Sequence, residues 1–408
     1  MDPFTDPQQG AGWITEEPWR SICKWPGRIR KSLLNRRSGQ ETGSVEYGAH
    51  GKGVRTPENP LPDPQGTGQR QSKRLLRRKS TDHSQALRLA LQIAFVVLNL
   101  WIGAEFYLFV RHYEIGAPGP AIRRPAGVEG WLPIAGLMNL KYFLLSSQIP
   151  KIHAPAMFLL MAFLAVSLIW SKSFCAWLCP VGTLSEALWK IGRKFFRRNP
   201  ALPSWLDIPL RGMKYVLLAL FLYAVGSMPP AAISAFMQSP YGLAADVKML
   251  DFFRHLSQTA GLVIFALVAL SIFVKNFWCR YLCPYGALMG LASILSPGKI
   301  HRNPDACIDC ARCARACPAL LPVDRKIVLR SLECTSCLEC VAVCPAQNAL
   351  HMGFRKNRAI SPWIMAAGIT TIFLAVVMCA DWTRHWESPI PDDVNRSLIP
   401  HVAELGHP

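Results

Sequence analysis

Acidic residues are scarce in this 408-residue chain, and several motifs that define redox enzymes are missing. Asp and Glu number 26 against 45 Lys and Arg, and only 17% of the residues are charged. No C-x-x-C-H motif for covalent haem is present, and no G-x-G-x-x-G opens a βαβ unit. No separate stretch is long enough for a flavin domain. The sequence therefore argues against a c-type cytochrome, a dinucleotide-dependent enzyme and a flavoprotein.

The apolar content of the chain is high for a protein with so much positive charge. Hydrophobic residues make up 51% of it, and the formal net charge is +19. This combination indicates several membrane spans with Lys and Arg in the cytoplasmic loops. The first 86 residues contain no apolar h-region, so no cleavable signal peptide is expected.

Residues 1–86 form a basic segment rich in Pro, Gly, Gln and Arg. The segment holds fifteen Lys and Arg against nine Asp and Glu and shows no sustained periodicity. We predict a mostly disordered cytoplasmic arm. The run KRLLRRKS, residues 73–80, precedes the first apolar stretch and is interpreted as a topological anchor. Nucleic-acid binding is the alternative for this run, but nucleic acid is not the expected partner. Cys23 receives no role.

Five apolar segments approach the ~20 residues that cross a bilayer as a helix. They cover approximately residues 89–110, 155–171, 211–229, 258–275 and 361–380. Lys and Arg cluster between the second and third segments, at Arg193, Lys194, Arg197 and Arg198. The positive-inside rule places this loop in the cytoplasm, as do two crossings from a cytoplasmic N-terminus. The same parity puts residues 276–360 in the cytoplasm and the C-terminus in the periplasm of a bacterial inner membrane.

Residues 111–154 fit this scheme less simply. They include GVEGWLPIAGLMNLKYFLL, which is apolar but carries Pro133 and Lys141. We interpret the segment as an interfacial or re-entrant helix on the outer side of the membrane. A sixth full span is the alternative. It would invert the sidedness of everything downstream, in conflict with the basic loop.

Polar residues near the spans raise further hypotheses. Glu105 lies inside the first segment near its outer end, where it either handles protons or sits at headgroup level. His112, His153 and His255 fall at the outer edges of spans, either as a shared quinone or metal site or as ordinary interface histidines. No span carries a histidine pair for b-type haem. Cys379 is expected to pack within the last span.

Two copies of C-x2-C-x2-C-x3-C-P form the strongest metal-binding pattern in the chain. They are CIDCARCARACP, starting at Cys307, and CTSCLECVAVCP, starting at Cys334. In bacterial two-cluster ferredoxins, three thiolates at this spacing hold one 4Fe-4S cluster and the fourth cysteine ligates the other. A zinc site would show a longer spacer between paired cysteines. The predicted ligands are Cys307, Cys310, Cys313 and Cys344 for the first cluster and Cys334, Cys337, Cys340 and Cys317 for the second.

The soluble insert around these motifs is short, about 55 residues from Ile300 to Phe354. It can bury little core, so the clusters are expected to hold it together. LLPVDRKIV, between the motifs, is predicted to be a linking helix. Residues 301–360 hold nine Lys and Arg against five Asp and Glu. This basic face either docks an acidic electron carrier or lipid headgroups, or is solvated surface.

These segments define the predicted fold class. We expect a mainly α-helical polytopic membrane protein with about five transmembrane helices and a small α+β insert like a bacterial ferredoxin. Its predicted parts are the cytoplasmic arm, a four-span region with a two-helix repeat, the ferredoxin domain, and the last helix with a periplasmic tail. Their bounds are 1–86, 87–299, 300–354 and 355–408.

The motif C-x-x-x-C-P occurs twice, each time directly after an apolar segment. Cys175 and Cys179 belong to the first copy, and Cys279 and Cys283 follow 104 residues later (279 − 175). If each span continues as a helix through the motif, its two cysteines share one face and the helix ends before Pro. The Gly two residues after Pro then suits a chain reversal. Because both pairs lie at the same membrane edge, the four sulfurs are able to meet.

Two interpretations of these four cysteines remain. One is a third redox centre, formed by a bound metal, a cluster or a cycling dithiol. The other is packing, since free cysteines behave as small apolar residues in protein cores. Duplication of both cysteines at one spacing favours the redox or metal role.

From about residue 87 to its end, the chain resembles membrane ferredoxins of the NapH and NosR type. Those proteins also combine CxxxCP motifs after membrane spans with a cytoplasmic double-cluster insert. The resemblance implies electron transfer between the quinone pool and a redox protein partner. It leaves open whether the chain acts as a quinol-dehydrogenase-type subunit. The alternatives are an assembly or metal-reducing factor for a respiratory enzyme, and a redox sensor with the basic arm as its output.

Overall fold

The computed structural model describes residues 82–116, 123–197, 199–200, 202–354 and 358–406. Nearly all of the predicted arm, with Cys23 and the KRLLRRKS run, lies outside these residues. In chain order the described α-helices are α1 Ser84–Glu114, α2 Pro133–Ser146, α3 Ala154–Trp170, α4 Phe174–Trp177, α5 Pro180–Phe196, α6 Ser204–Ser227, α7 Pro230–Gln238, α8 Pro240–Leu243, α9 Ala245–Arg254, α10 Gln258–Phe273, α11 Pro284–Ala292, α12 Arg312–Ala316, α13 Glu339–Ala342, α14 Pro362–Trp382 and α15 Asp392–Leu398. The remaining regular elements are the 3-10 helices Ala126–Trp131 and Val402–Glu404, the π-helical turn Trp278–Leu282, and the strands β1 Lys299–Arg302 and β2 Leu350–Gly353.

Proline marks the start of several of these helices. Pro133, Pro155 and Pro362 occupy the first turn of α2, α3 and α14. The first N–H groups of a helix have no partner within the helix, so a proline at this position removes no hydrogen bond. Its fixed φ also suits the helix.

Three helices are long and apolar enough to cross a membrane: α1, α6 and α14. α9 and α10 together form a fourth candidate, with a bend of 82° between them. α3 is apolar but has 17 residues, a rise of about 25 Å. Large apolar side chains on these helices face outward, among them Leu100, Leu220 and Phe265. The protein is therefore a membrane protein. Each of the five predicted segments coincides with a helix, and whether all five cross the bilayer stays a prediction.

We call the helices outside the insert the membrane unit. The two ends of α1 show which parts of the chain lie on the same side of this unit. At its start, the Gln85 amide donates to the Cys337 carbonyl of the insert at 3.0 Å. Towards its other end, Phe109 belongs to a buried cluster with Val247 of α9 and Val402 of the C-terminal tail. The insert and the tail therefore lie at opposite ends of α1, which we call the insert end and the tail end.

α2 lies at the tail end, where its Lys141 side chain caps the end of α6. The Lys141 ammonium donates to the carbonyls of Val225, Gly226 and Met228 at 3.0, 2.7 and 2.6 Å. These carbonyls lie at the end of α6, where the last carbonyl groups of a helix have no N–H partner within the helix. The 14 residues of α2 rise about 21 Å, less than the ~30 Å thickness of the bilayer core. This placement favours the interfacial interpretation of residues 111–154 over a sixth span.

The insert is built on a short antiparallel ladder. β1 pairs with β2, and Val328 forms an isolated bridge to His301 of β1. The predicted linking helix over LLPVDRKIV is wrong, because the residues between α12 and α13 form turns and this bridge. The backbone there forms hydrogen bonds with β1 instead of bonds within a helix: the Arg302 N–H donates to the Ile327 carbonyl at 2.7 Å.

The insert packs directly on the membrane unit through one hydrophobic cluster. Leu160 and Trp170 of α3 and Met289 of α11 belong to the same buried group as Ile300 and Met352 of the ladder. Shared apolar burial is the main favourable term in such packing. The cysteine motifs of the insert are thereby held against the helices that flank the CxxxCP motifs.

Candidate redox site

The first cysteine set of the insert lines one small cavity. Cys307, Cys310, Cys313 and Cys344 all contribute to its wall. Cys313 is buried on α12, and the other three are partly exposed. The structure thus brings together three cysteines of the first motif and the last cysteine of the second, the arrangement that ferredoxin spacing predicts. Their role as ligands stays a prediction.

The second cysteine set lies against the membrane unit. It comprises Cys317, Cys334, Cys337 and Cys340. Cys340 is buried on α13 and interacts electrostatically with the other three. The fully buried indole of Trp177 donates to the Ser336 carbonyl, within this set's loop, at 3.1 Å. Because Trp177 lies between the cysteines of the first CxxxCP motif, this bond joins the two kinds of motif.

Each CxxxCP motif places its two cysteines on different elements. Cys175 lies in the short helix α4, and Cys179 is the extended residue that precedes α5. Cys279 lies in the π-helical turn, and Cys283 precedes α11. The prediction that one helix continues through both cysteines is wrong. The proline of each motif begins a new helix instead of ending the previous one.

The glycines of the motifs do not form the predicted chain reversals, because both lie in the first turn of a helix. A Cβ at Gly182 would stand 2.2 Å from the carbonyl oxygen of Cys175, which leaves no room for a side chain. At Gly286 the backbone N–H donates to Cys283 Sγ at 3.2 Å. Gly182 therefore allows the Cys175 carbonyl to approach the start of α5 closely. At the start of α11, the Gly286 N–H, which has no partner within the helix, donates to a cysteine sulfur.

The two CxxxCP motifs meet at one end of a large cavity. Cys175, Cys179, Cys279 and Cys283 all line this cavity. Cys279 interacts electrostatically with the other three. The structure therefore brings together the four sulfurs, as the repeat predicts, and their binding of a metal or cluster stays a prediction.

A buried group of ions lies beside these four cysteines. Lys214 Nζ lies 2.6 Å from both carboxylate oxygens of Glu333, and the Tyr215 hydroxyl donates to the same carboxylate at 3.1 Å. Lys172 Nζ lies 3.8 Å from Glu333 and within electrostatic range of Cys175. Burial alone would raise the pKa of Glu333, but the two ammonium groups outweigh burial and hold it below its ordinary value. Two cations thus face one carboxylate.

An iron–sulfur cluster fits this surplus of positive charge. Four deprotonated cysteines carrying such a cluster are negative overall, and buried charge is stable only with a partner. The residues present therefore match a cluster in both charge and donor chemistry. Lys172, Lys214 and Glu333 belong to none of the motifs that the sequence displays. The sequence does contain one signal for Lys214: a lysine inside an apolar segment is costly and often marks a functional site.

The large cavity has a volume of about 970 Å³ and follows α1 through the membrane unit. α1 lines it from Arg88 to Glu105, about 17 residues or 26 Å of helix. Its middle part is apolar, with Phe95 of α1 facing Phe373 of α14. At the insert end, the Arg88 guanidinium donates two hydrogen bonds of 2.7 Å to Glu186. The cavity therefore extends from the four cysteines towards the tail end.

A second buried polar group lies at the tail end. His153 Nδ1 lies 3.1 Å from the Glu129 carboxylate, and its Nε2 lies 2.8 Å from the Gly242 carbonyl oxygen. Burial would lower the pKa of His153, but the adjacent Glu129 outweighs burial and raises it above 6.5. Arg124 pairs with the fully buried Asp246 in the same region. These contacts tie the segments around α2, α3 and α9 together.

The other histidines and Cys379 behave differently. His112 packs edge-on against the neighbouring tyrosine, and His255 hydrogen-bonds to Asp251 at 2.8 Å, so neither shares the partners of His153.

In the described part of the chain, no three His, Cys, Asp or Glu side chains form a group suited to a single metal ion. Cys379 is exposed on α14, so the prediction that it packs within the last span is wrong.

Comparison with protein families connects both kinds of motif to iron–sulfur chemistry. A 4Fe-4S binding domain matches residues 152–199 and 256–303, each of which contains one CxxxCP motif. The second match begins 104 residues after the first (256 − 152), as the internal repeat does. A 4Fe-4S dicluster domain matches residues 299–345, which hold both ferredoxin-type motifs. No solved structure matches the chain.

Individual relatives identify the family. YccM of Escherichia coli K12, described as a candidate electron transport protein, is 48% identical over 326 residues, 78% of this chain and 91% of YccM. The regulatory protein NosR of Pseudomonas aeruginosa is 33% identical over 172 residues, 40% of this chain and 22% of NosR. The ferredoxin-type protein NapH of Escherichia coli K12 is 27% identical over 174 residues, 41% of this chain and 55% of NapH. The chain therefore belongs, with YccM, to the NapH/NosR-type family of membrane-bound polyferredoxins, and it is an electron transport protein with 4Fe-4S domains.

Proposed function

We propose that this protein relays electrons between the quinone pool of the bacterial inner membrane and a redox protein partner on the insert side. The observation that carries the proposal is the cavity of about 970 Å³, with apolar walls between α1 and α14 and four cysteines at its insert end. Cavities of this size hold cofactors and other small organic molecules. A quinone dissolved in the bilayer reaches such a cavity from the membrane, which would bring a lipid-soluble carrier next to the thiols.

The proposal includes two 4Fe-4S clusters in the insert, with the two cysteine sets described above as their ligands. A third iron–sulfur cluster is proposed at Cys175, Cys179, Cys279 and Cys283, whose sulfurs line one end of the cavity. When bound, such groups accept and donate one electron at a time. Lys172 supports this assignment, because its buried ammonium lies within electrostatic range of Cys175, Cys279 and Cys283 and would balance their negative charge.

The side chains of the membrane unit hold the cysteine groups in a fixed relation. Trp177 donates to Ser336 across the boundary between membrane unit and insert. Gln85 of α1 donates to the Cys337 carbonyl at 3.0 Å, and Lys214 of α6 binds Glu333, which directly precedes Cys334. Several buried polar bonds to one short loop leave it little freedom. This rigidity suits electron exchange between neighbouring centres.

We further propose that the insert end faces the cytoplasm and the tail end the periplasm. α5 lies at the insert end, where Glu186 binds Arg88 at the start of α1. It carries Lys190, Arg193 and Lys194, and short loops rich in Lys and Arg remain in the cytoplasm. Five crossings then place the insert with the N-terminus and the tail on the opposite side.

Quinol-driven reduction of the iron–sulfur signals tests the proposed function. Purified full-length protein is mixed anaerobically with decylubiquinol, and the EPR signals of reduced clusters are followed. The expected rate saturates with quinol concentration. Leu98→Trp, which fills the cavity, should raise the half-saturating concentration about tenfold, which corresponds to about 1.4 kcal/mol.

The matched control is Leu100→Trp, on the same helix but facing outward. It should leave both the maximal rate and the half-saturating quinol concentration unchanged. Absence of any cluster reduction by quinol, or equal effects of the two substitutions, would contradict the proposal.

A further inference from the structure

Glu105 is the carboxylate of the cavity wall that lies within the span of α1. It follows Leu98 and Ile102 on one helical face, and all three side chains line the cavity. Glu105 lies nine residues, about 14 Å, before the end of α1 at Glu114. Because α1 has 31 residues, about 47 Å, a ~30 Å bilayer core centred on it includes Glu105. A carboxylate at that depth is costly and needs a reason.

The other carboxylates along the cavity are nearly all held by cations. Arg88 and Lys190 hold Glu186, and Lys214 holds Glu333, both at the insert end. At the tail end Glu387 is paired with an arginine, Arg123. Such pairs stabilise the ionised form and make these groups poor proton acceptors.

Glu105 differs from these paired carboxylates in the part of the chain that the structure describes. There it has neither an ion pair nor a hydrogen bond. Asp381, exposed at the end of α14, lines the same cavity, as does Arg124 of the segment before α2. Glu105 therefore lies between the apolar middle of the cavity and water at the tail end.

We propose that Glu105 is the proton acceptor for hydroquinone oxidised in this cavity, and that it passes the protons to the tail end. This inference rests on the proposed function. Oxidation of one hydroquinone breaks two O–H bonds and gives one quinone, two electrons and two protons. An oxidised iron–sulfur centre held by the four cysteines would accept the two electrons one at a time. The protons bind one at a time to the Glu105 carboxylate and leave to water beside Asp381.

Opposite exits for electrons and protons have a functional consequence. Electrons depart at the insert end, whereas protons depart at the tail end, so each electron transferred moves one charge across the membrane. When the reaction runs towards quinone reduction, the same carboxylate supplies protons taken up from the tail end. The protein then contributes to, or draws on, the membrane potential.

Proton release into liposomes tests this inference with the full-length protein. The lumen contains the pH dye pyranine, decylubiquinol is dissolved in the bilayer, and ferricyanide is added outside. Ferricyanide does not cross the membrane and takes one electron without a proton, so it selects molecules whose insert faces outward. We expect the lumen to acidify by one proton per ferricyanide reduced.

Substitutions at Glu105 provide the decisive comparison. Glu105→Gln should lower the maximal rate of both reactions about a hundredfold at neutral pH, the typical contribution of a general base, with an unchanged half-saturating quinol concentration. Glu105→Asp should restore most of the rate. Glu114→Gln is the matched control on the same helix, because Glu114 pairs with Arg254 away from the cavity, and it should behave like the wild type.

The outcomes separate this inference from the proposed function. Proton release at the wild-type rate in Glu105→Gln overturns the inference, and so does acidification outside the liposomes. Loss of quinol saturation in Glu105→Gln also overturns it, because the side chain would then serve binding. If the wild-type protein does not oxidise decylubiquinol at all, the proposed function fails and the inference fails with it.

Discussion

Lys214 Nζ lies 2.6 Å from each carboxylate oxygen of Glu333, and the lysine is fully buried. The lysine belongs to a predicted span and the glutamate to the insert, one residue before Cys334. Buried ion pairs gain little over apolar packing, but removing one partner leaves an uncompensated charge. The pair therefore makes the position of the insert dependent on α6.

The first prediction follows from this pair. Lys214→Met should lower the free energy of unfolding by about 3 kcal/mol, since Glu333 would keep its charge and lose its hydrogen-bonded cation, with Lys172 3.8 Å away. Thermal unfolding of the detergent-solubilised protein measures the change. Lys190→Met is the control, because Lys190 is partly exposed and such surface pairs contribute less than about 1 kcal/mol.

A double substitution checks the mechanism of this loss. Lys214→Met with Glu333→Gln should be more stable than Lys214→Met alone, because the unpaired charge is gone. Equal instability of the single and double variants would show that the loss arises from packing instead. Iron content is measured alongside, since Glu333 adjoins Cys334.

The second prediction concerns the insert. The two cysteine sets should bind about eight irons, and any iron at the CxxxCP cysteines would be additional. Cys313→Ser should remove one cluster and, through the shared fold of a small insert, weaken the other. Iron analysis and EPR of the reduced protein measure both effects. Retention of all eight irons in Cys313→Ser would refute the ligand assignment.

Local spacing predicted much of this site, because it constrains residues that are near in sequence. The ferredoxin-type spacing specified four cysteines that the structure places around one cavity. The repeat of 104 residues predicted that the two CxxxCP pairs meet. In contrast, Lys214 and Glu333 are 119 residues apart, and no local pattern links them. Pairs of this kind depend on how helices pack, which sequence periodicity does not encode.

Proline and glycine illustrate a different limit. The motif predicts that a helix ends before Pro180, but Pro180 begins α5, since proline is tolerated both after a helix and in its first turn. The motif also predicts a chain reversal at Gly182, whereas this glycine makes room for the Cys175 carbonyl. The residue types were informative, but the same type serves two geometries, and only the tertiary contact distinguishes them.

The third prediction concerns Cys175, Cys179, Cys279 and Cys283. If they form one centre, replacing any of them by Ala or Ser should impair quinol-driven reduction and leave the EPR signals of the two insert clusters intact. If they only pack, Cys→Ala costs on the order of 1 kcal/mol for a small void, and electron transfer continues. Near-normal reduction rates in all four Ala variants would remove the third centre from the mechanism.

The fourth prediction uses the buried His153. Its pKa in the folded protein is raised by Glu129, so protonated His153 stabilises the fold below its ordinary pKa of 6.5. This stabilisation is lost as pH rises through the higher folded value. The Tm difference between wild type and His153→Gln should therefore shrink as pH rises above about 6.5. A difference that stays constant or grows with pH would show that the imidazolium is not the stabilising form.

The fifth prediction tests the sidedness of the chain. Reporters fused after Asn199 or within residues 320–325 should be active on the cytoplasmic side, and one fused after Pro408 on the periplasmic side. The physical basis is five crossings combined with the basic residues of α5 at the insert end. Reporter pairs active in the periplasm or the cytoplasm measure each position independently. A cytoplasmic C-terminus would require one more crossing or one fewer, and a full span through α2 is the first arrangement to test, despite its 14 residues.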